Sequence, residues 1–256
     1  MPLALVTGAS AGIGRAFAES LARRGYDLIL VARSTARIEA LARDLAASHG
    51  VRCDTWTSDL ASEAGREETA ARIAALPRLD LLVNNAGFAT TGKLSKILLD
   101  PQMDMLRLHV LAPMRLATAA LPRMIEQGAG GIINVSSIAS FLYGPGNVNY
   151  SATKAYLTSF SLGLDTEVRG AGVRVQALCP GFTHTEIHTE MPHVKRQIPG
   201  WLWGSAERVV ETSLRQLAAG GPVICIPGTR NRILRRLLTL LPHALRRRLA
   251  VRKRKR

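Results

Sequence analysis

Short aliphatic runs alternate along the chain with longer stretches in which apolar residues recur every three to four positions. The runs at 3–7 (LALVT), 27–32 (DLILVA), 51–55 (VRCDT), 79–83 (LDLLV), 131–136 (GIINVS), 173–178 (VRVQAL) and 223–227 (VICIP) predict strands. The stretches near 12–24, 35–48, 62–75, 101–127, 150–169 and 205–219 predict helices. Strands separated by helices pair in parallel, because the crossover returns the chain to the same end of the sheet. Most strand runs read as continuous apolar stretches rather than alternating ones, as happens where helices cover both faces. The expectation is one doubly wound α/β domain on a mostly parallel seven-stranded sheet.

Composition changes this picture at one end only. Of the net charge of +15, the segment 230–256 carries +12, with no acidic residue, leaving +3 for residues 1–229. The division expected is therefore a near-neutral domain, 1–229, and a basic tail, 230–256, and this charge distribution argues against a nucleic-acid-binding body. At 47% hydrophobic residues the chain has ample material for a core. No charge-free apolar run reaches a membrane-spanning length, and the N-terminus carries no leader pattern. Cys53, Cys179 and Cys225 are odd in number and widely spaced, which gives neither a disulfide ladder nor a metal-ligand pattern and fits a cytoplasmic setting.

Residues 7–14, TGASAGIG, leave the first strand and open the first helix. Gly8, Gly12 and Gly14 allow a tight turn and let backbone N–H groups approach a pyrophosphate at the helix N-terminus. Thr7, Ser10 and Ile13 complete this candidate cradle, which makes the domain Rossmann-type. The second strand ends on Ala32, Arg33 and Ser34, where a carboxylate is the usual partner of the adenosine ribose hydroxyls. A guanidinium instead suits a 2′-phosphate, so Arg33, assisted by Ser10 and Arg37, points to NADP rather than NAD. The alternative is that Arg33 simply faces solvent. Asn85, Ala86 and Gly87 follow the fourth strand in the stretch NNAG, where amide side chains can brace backbone and small residues leave room for a ribose.

Tyr150 and Lys154 stand four apart, on one helix face. Of the four tyrosines, only Tyr150 has a lysine at that step, and Ser137 lies 13 residues upstream. Reduction of a carbonyl creates an alkoxide that needs a proton. A phenol can donate it if a nearby ammonium brings its pKa down from about 10, while a serine hydroxyl steadies the developing charge. The GxxxGxG turn, NNAG, and the Ser137, Tyr150 and Lys154 spacing together resemble the short-chain dehydrogenase/reductase family over residues 3–227, in the hydroxysteroid and long-chain 3-oxoacyl reductase branches.

The resemblance implies an NADP(H)-dependent enzyme interconverting a carbonyl and a secondary alcohol. It gives Lys154 a hold on the nicotinamide ribose, places Asp59 and Leu60 beside the adenine, and puts Pro180, Gly181, Thr183 and Thr185 beside the nicotinamide. It also puts His109 where many members have an asparagine, either as a relay residue that titrates near neutrality or as a packed helix histidine. The apolar stretch 186–204 takes the place of a substrate lid, with Trp201 and Trp203 as lid anchors or subunit contacts. An apolar or extended substrate and a homodimer or homotetramer are the partners implied. In the tail, Ile233, Leu234, Leu237, Leu238 and Leu241 share a helix face opposite Arg232, Arg235 and Arg236. That face can dock on the domain or a second copy, or lie on an anionic membrane surface. A rival reading is a catalytically weak, cofactor-sensing binding protein held by this tail.

Overall fold

The computed structural model describes residues 1–184, 200 and 203–240. Seven parallel strands, β1 (Leu3–Thr7), β2 (Asp27–Ala32), β3 (Cys53–Thr57), β4 (Leu81–Asn84), β5 (Gly130–Val135), β6 (Val173–Leu178) and β7 (Ile224–Cys225), lie in the order β3-β2-β1-β4-β5-β6-β7. The helices are α1 (Gly12–Ala22), α2 (Thr35–His49), α3 (Glu63–Ala74), α4 (Leu99–Leu106), α5 (Ala112–Glu126), α6 (Val148–Val168), α7 (Ala206–Ala218) and α8 (Thr229–Leu240).

Alternation along the strands divides the core in two. Ala4 and Val6 of β1 join Phe17 and Leu21 of α1, Ile38 of α2 and Val210 of α7 on one face. Leu5 turns the other way, toward Ile73 of α3, Leu116 of α5 and Leu164 of α6. A period of two on the strands thus feeds two helical layers. The chain order reverses between β1 and β4, and the crevice at the carboxyl ends of those strands is where such sheets receive ligands.

Several boundaries differ from the sequence expectation, three of them with a clear cause or consequence. The edge strand β3 begins at Cys53 rather than Val51, its register set by pairing Leu28 with Cys53 through Ala32 with Thr57. Strand β4 likewise begins at Leu81 rather than Leu79. The helix expected over 101–127 is interrupted by a π turn at Arg107–Leu111. Pro113 has no N–H for the carbonyl of His109 four residues back, so regular α-helical bonding cannot run through this point.

The tail begins as a helix lying on the domain. Asn231 sits against Gly181, where an added Cβ would come within 2.5 Å of its amide nitrogen. The Arg235 guanidinium lies 5.1 Å from the centre of the Phe141 ring. The inward edge of α8 is therefore Asn231 and Arg235, while Ile233, Leu234, Leu237 and Leu240 are exposed, the last at 80%. Of the alternatives for this face, docking onto its own domain does not occur at Ile233, Leu234, Leu237 and Leu240. Residues 241–256, including Leu241, fall outside the described residues, as do Thr185 and most of the lid, 186–199 with Trp201 and Leu202.

Candidate active site

The cradle at the end of β1 is tightly cut. Gly8 has φ +65° and Gly12 +55°, both in the region glycine favours. A Cβ on Gly14 would lie 2.2 Å from the Gly8 carbonyl oxygen. Ser10 and Ile13 are half-buried beside it, and no side chain caps the N-terminus of α1. That leaves backbone donors for an anion, the fit a dinucleotide's phosphates require.

Two polar side chains clasp this turn to the loop after β4. Thr7 Oγ1 accepts from the amides of Asn85 at 2.9 Å and Ala86 at 3.0 Å and donates to the Val83 carbonyl. The Asn85 amide donates to the carbonyls of Thr7 and Gly8. Arg33 is exposed at the end of β2, and Arg37 lies in the first turn of α2. Asp59 is exposed, its carboxylate accepting from the Ala61 amide, while Leu60 is buried.

On the opposite wall stand Ser137, Tyr150 and Lys154. Ser137, just beyond β5, accepts from the Ala139 amide at 3.1 Å. A hydrogen bond also joins its hydroxyl to the Tyr150 phenol. Burial pushes the phenol above its ordinary pKa, and the Ser137 bond opposes that shift. Lys154 is 5% exposed and its ammonium donates to the Val135 carbonyl at 2.8 Å. Burial brings its pKa down to about 8. Its Nζ, tied to β5, lies 5.8 Å from the centre of the Tyr150 ring.

His109 lies in the π turn and is 1% exposed. Its Nε2 accepts from the Phe88 amide at 3.1 Å and its Nδ1 meets Thr153 Oγ1 at 3.0 Å. Desolvation first, and the charge of Lys154 second, hold its pKa well below 6.5. Both nitrogens are engaged away from the phenol, so the relay expected of His109 has no free nitrogen to run through.

Beyond β6, Pro180 and Thr183 are buried and Gly181 is half-buried. Thr183 donates to the Gly181 carbonyl and pairs with Gly204. Trp203 stacks on His184 at 5.0 Å and lies 5.8 Å from Phe182. Two participants escaped the sequence reading: Thr153, whose position three residues after Tyr150 is the available signal for a bond back along the helix, and Asn231, hidden in a segment read as basic tail.

Residues 2–195 match the short chain dehydrogenase family. The 3-oxoacyl-[acyl-carrier-protein] reductase of Aquifex aeolicus is 34% identical over 218 residues, covering 83% of this chain and 88% of that protein. Among solved structures, a short-chain dehydrogenase from Sphingobium yanoikuyae in complex with NADPH superimposes with a TM-score of 0.84 at 32% identity, covering 95% of this chain and 98% of that one. A bulky-bulky ketone specific alcohol dehydrogenase from Comamonas testosteroni gives 0.81 at 29% identity, covering 95% and 96%. Nothing in these likenesses supports a non-catalytic cofactor sensor. With its all-parallel sheet, its glycine cradle and this match over most of its length, the chain belongs to the short-chain dehydrogenase/reductase family and is an oxidoreductase.

Proposed function

We propose that the protein is an NADP(H)-dependent reductase of apolar or extended ketones, the class to which 3-oxoacyl chains and steroids belong. The observation that carries this reading is the Ser137–Tyr150 hydrogen bond just beyond the carboxyl end of β5, on the same edge of the parallel sheet as the glycine cradle that follows β1. The cofactor, when bound, supplies the hydride. Gly8, Gly12, Gly14 and the free N-terminus of α1 hold its phosphates, Arg33 its 2′-phosphate, and Ala86 and Gly87 leave space for its ribose. The Ser137 hydroxyl donates to the carbonyl oxygen, and the Tyr150 phenol delivers the proton as that oxygen becomes an alkoxide. With a pKa of about 8, Lys154 is mostly charged near neutrality and steadies the site's negative charge.

The NADPH-bound relative supports the cofactor choice. Exposed Leu142, Tyr143 and Phe182 beside the site support an apolar substrate. NADPH oxidation with ketones of graded length, steroids and 3-oxoacyl thioesters tests it. Turnover rising with apolar size is expected, and no oxidation across the panel overturns it.

The remaining surfaces fit two further parts of this reading. Exposed Leu111, Met114 and Ile125 on or beside α5 and Leu162 on α6 supply an apolar face for a second copy. The exposed leucines of α8, set in a segment of +12, suit peripheral contact with an anionic bilayer from the cytoplasmic side. Among the described residues no helix is long and apolar enough to cross a membrane. Sedimentation with phosphatidylglycerol vesicles, lost in Leu234→Glu/Leu237→Glu, is the expected result; equal sedimentation of both chains removes the contact.

A further inference from the structure

We infer that His109 is a positioning residue, clamping the cofactor-side loop after β4 to the first turn of α6 and so fixing where Tyr150 stands in the crevice. The clamp rests on the reductase reading for its effect on turnover, but its geometry stands alone. The Phe88 amide can only donate, so Nε2 must be the unprotonated nitrogen. The single imidazole proton then sits on Nδ1 and goes to Thr153 Oγ1. The Thr153 hydroxyl in turn donates to the Tyr150 carbonyl at 2.9 Å. Three hydrogen bonds thus run in one direction, from the loop to the backbone of the catalytic tyrosine. Reversing any of them leaves a buried donor facing a donor, at a cost of about 1–3 kcal/mol.

The surroundings are cut to this ring. A Cβ at residue 87 would lie 2.6 Å from Nε2, so Gly87 is what lets the imidazole reach the loop. The Phe88 and Tyr150 rings flank it, each with its centre 6.0 Å away. Of the titratable groups around it, Lys154 opposes protonation by its charge and the Tyr150 ring meets it in a T-shaped contact. Adding a proton at Nε2 would break the Phe88 bond, and burial disfavours the resulting cation. An asparagine keeps one acceptor and one donor but is shorter; a leucine keeps bulk and neither bond.

Imidazole nitrogen NMR on the full chain reads the clamp without any substrate: one neutral Nδ1–H tautomer, unchanged from pH 5 to 8. Titration within that range overturns the proposal in favour of a relay. Kinetics then use NADPH and the best ketone of the panel. Because small misplacements of a reacting group cost up to about a hundredfold, His109→Leu is expected to lose at least about tenfold in kcat. KM for NADPH should stay within about threefold, and His109→Asn should recover part of the loss with an unshifted pH profile. Wild-type kcat in His109→Leu, or a profile that loses a limb near neutrality, overturns it. Should His109→Leu fail to fold, Thr153→Val cuts the same chain from its far end. It is expected to lose several-fold in kcat and to be less than additive with His109→Asn; full additivity counts against the clamp. If no ketone is reduced, the reductase reading fails separately, and amide exchange at Phe88 decides the clamp: at least tenfold faster in His109→Asn than in wild type supports it, and equal rates overturn it.

Discussion

The two walls of the crevice are built on different principles. The β1/β4 wall works by shape. Its glycines permit close approach, its threonine and asparagine are spent on backbone carbonyls and amides, and its charged residues, Arg33 and Asp59, stand at the exposed rim. The β5/α6 wall works by protonation. Tyr150, Lys154 and His109 gather there, and burial moves each away from its ordinary pKa toward the neutral form. A shape-determined wall tolerates no added atom, whereas a proton-handling wall tolerates little change of charge. Binding and chemistry should therefore separate when the walls are altered one at a time.

Removing one oxygen from the chemical wall gives the largest separation. Tyr150→Phe is expected to lower kcat by about a thousandfold or more while NADPH affinity, read by fluorescence titration, changes less than about threefold. Unchanged turnover would sink the assignment of roles. Next in size is the effect of the buried lysine on stability. Its folded pKa of about 8 lies below the unfolded value of 10.5, so the unfolded chain binds more protons between those limits. The cost of burying the ammonium, present in full below pH 8, is then relieved as pH rises toward 10.5. The stability of wild type relative to Lys154→Met, from urea unfolding, should rise over that window by up to about 3 kcal/mol. A flat difference would place the lysine outside the low-dielectric wall. The smallest effect belongs to the other wall's rim: Arg33→Ala should weaken NADPH binding by about tenfold and leave NADH within about twofold, as expected for one solvent-accessible charge-assisted pair. Equal losses for both cofactors would remove the 2′-phosphate role.

Legibility in the sequence followed the same division. The alternation of apolar runs and helical stretches and the glycine turn are local patterns, so the fold class could be read from spacing, whereas the roles of Ser137, Tyr150 and Lys154 came from resemblance to the family. Register could not: the edge strand β3, CDTWT, is mostly polar with no clean two-residue alternation, and only its pairing with β2 fixes where it begins. The break at Pro113 was visible as a residue but not as a π turn, because apolar periodicity continues across it. His109 could be placed by resemblance, yet its tautomer depends on the amide of Phe88, a partner 21 residues away that no helical pattern reveals. For α8, the helical wheel separates leucines from arginines but does not say which side turns inward. The gap left by Gly181 decides that in favour of Asn231.

The same small vacancy bears on how the gene could be shortened. A stop codon after residue 229 would strip the carboxamide that props the bend following β6, and a deletion meant to test charge would disturb that bend as well. Ending the chain after Leu240 keeps that prop while discarding eight of the twelve cationic side chains.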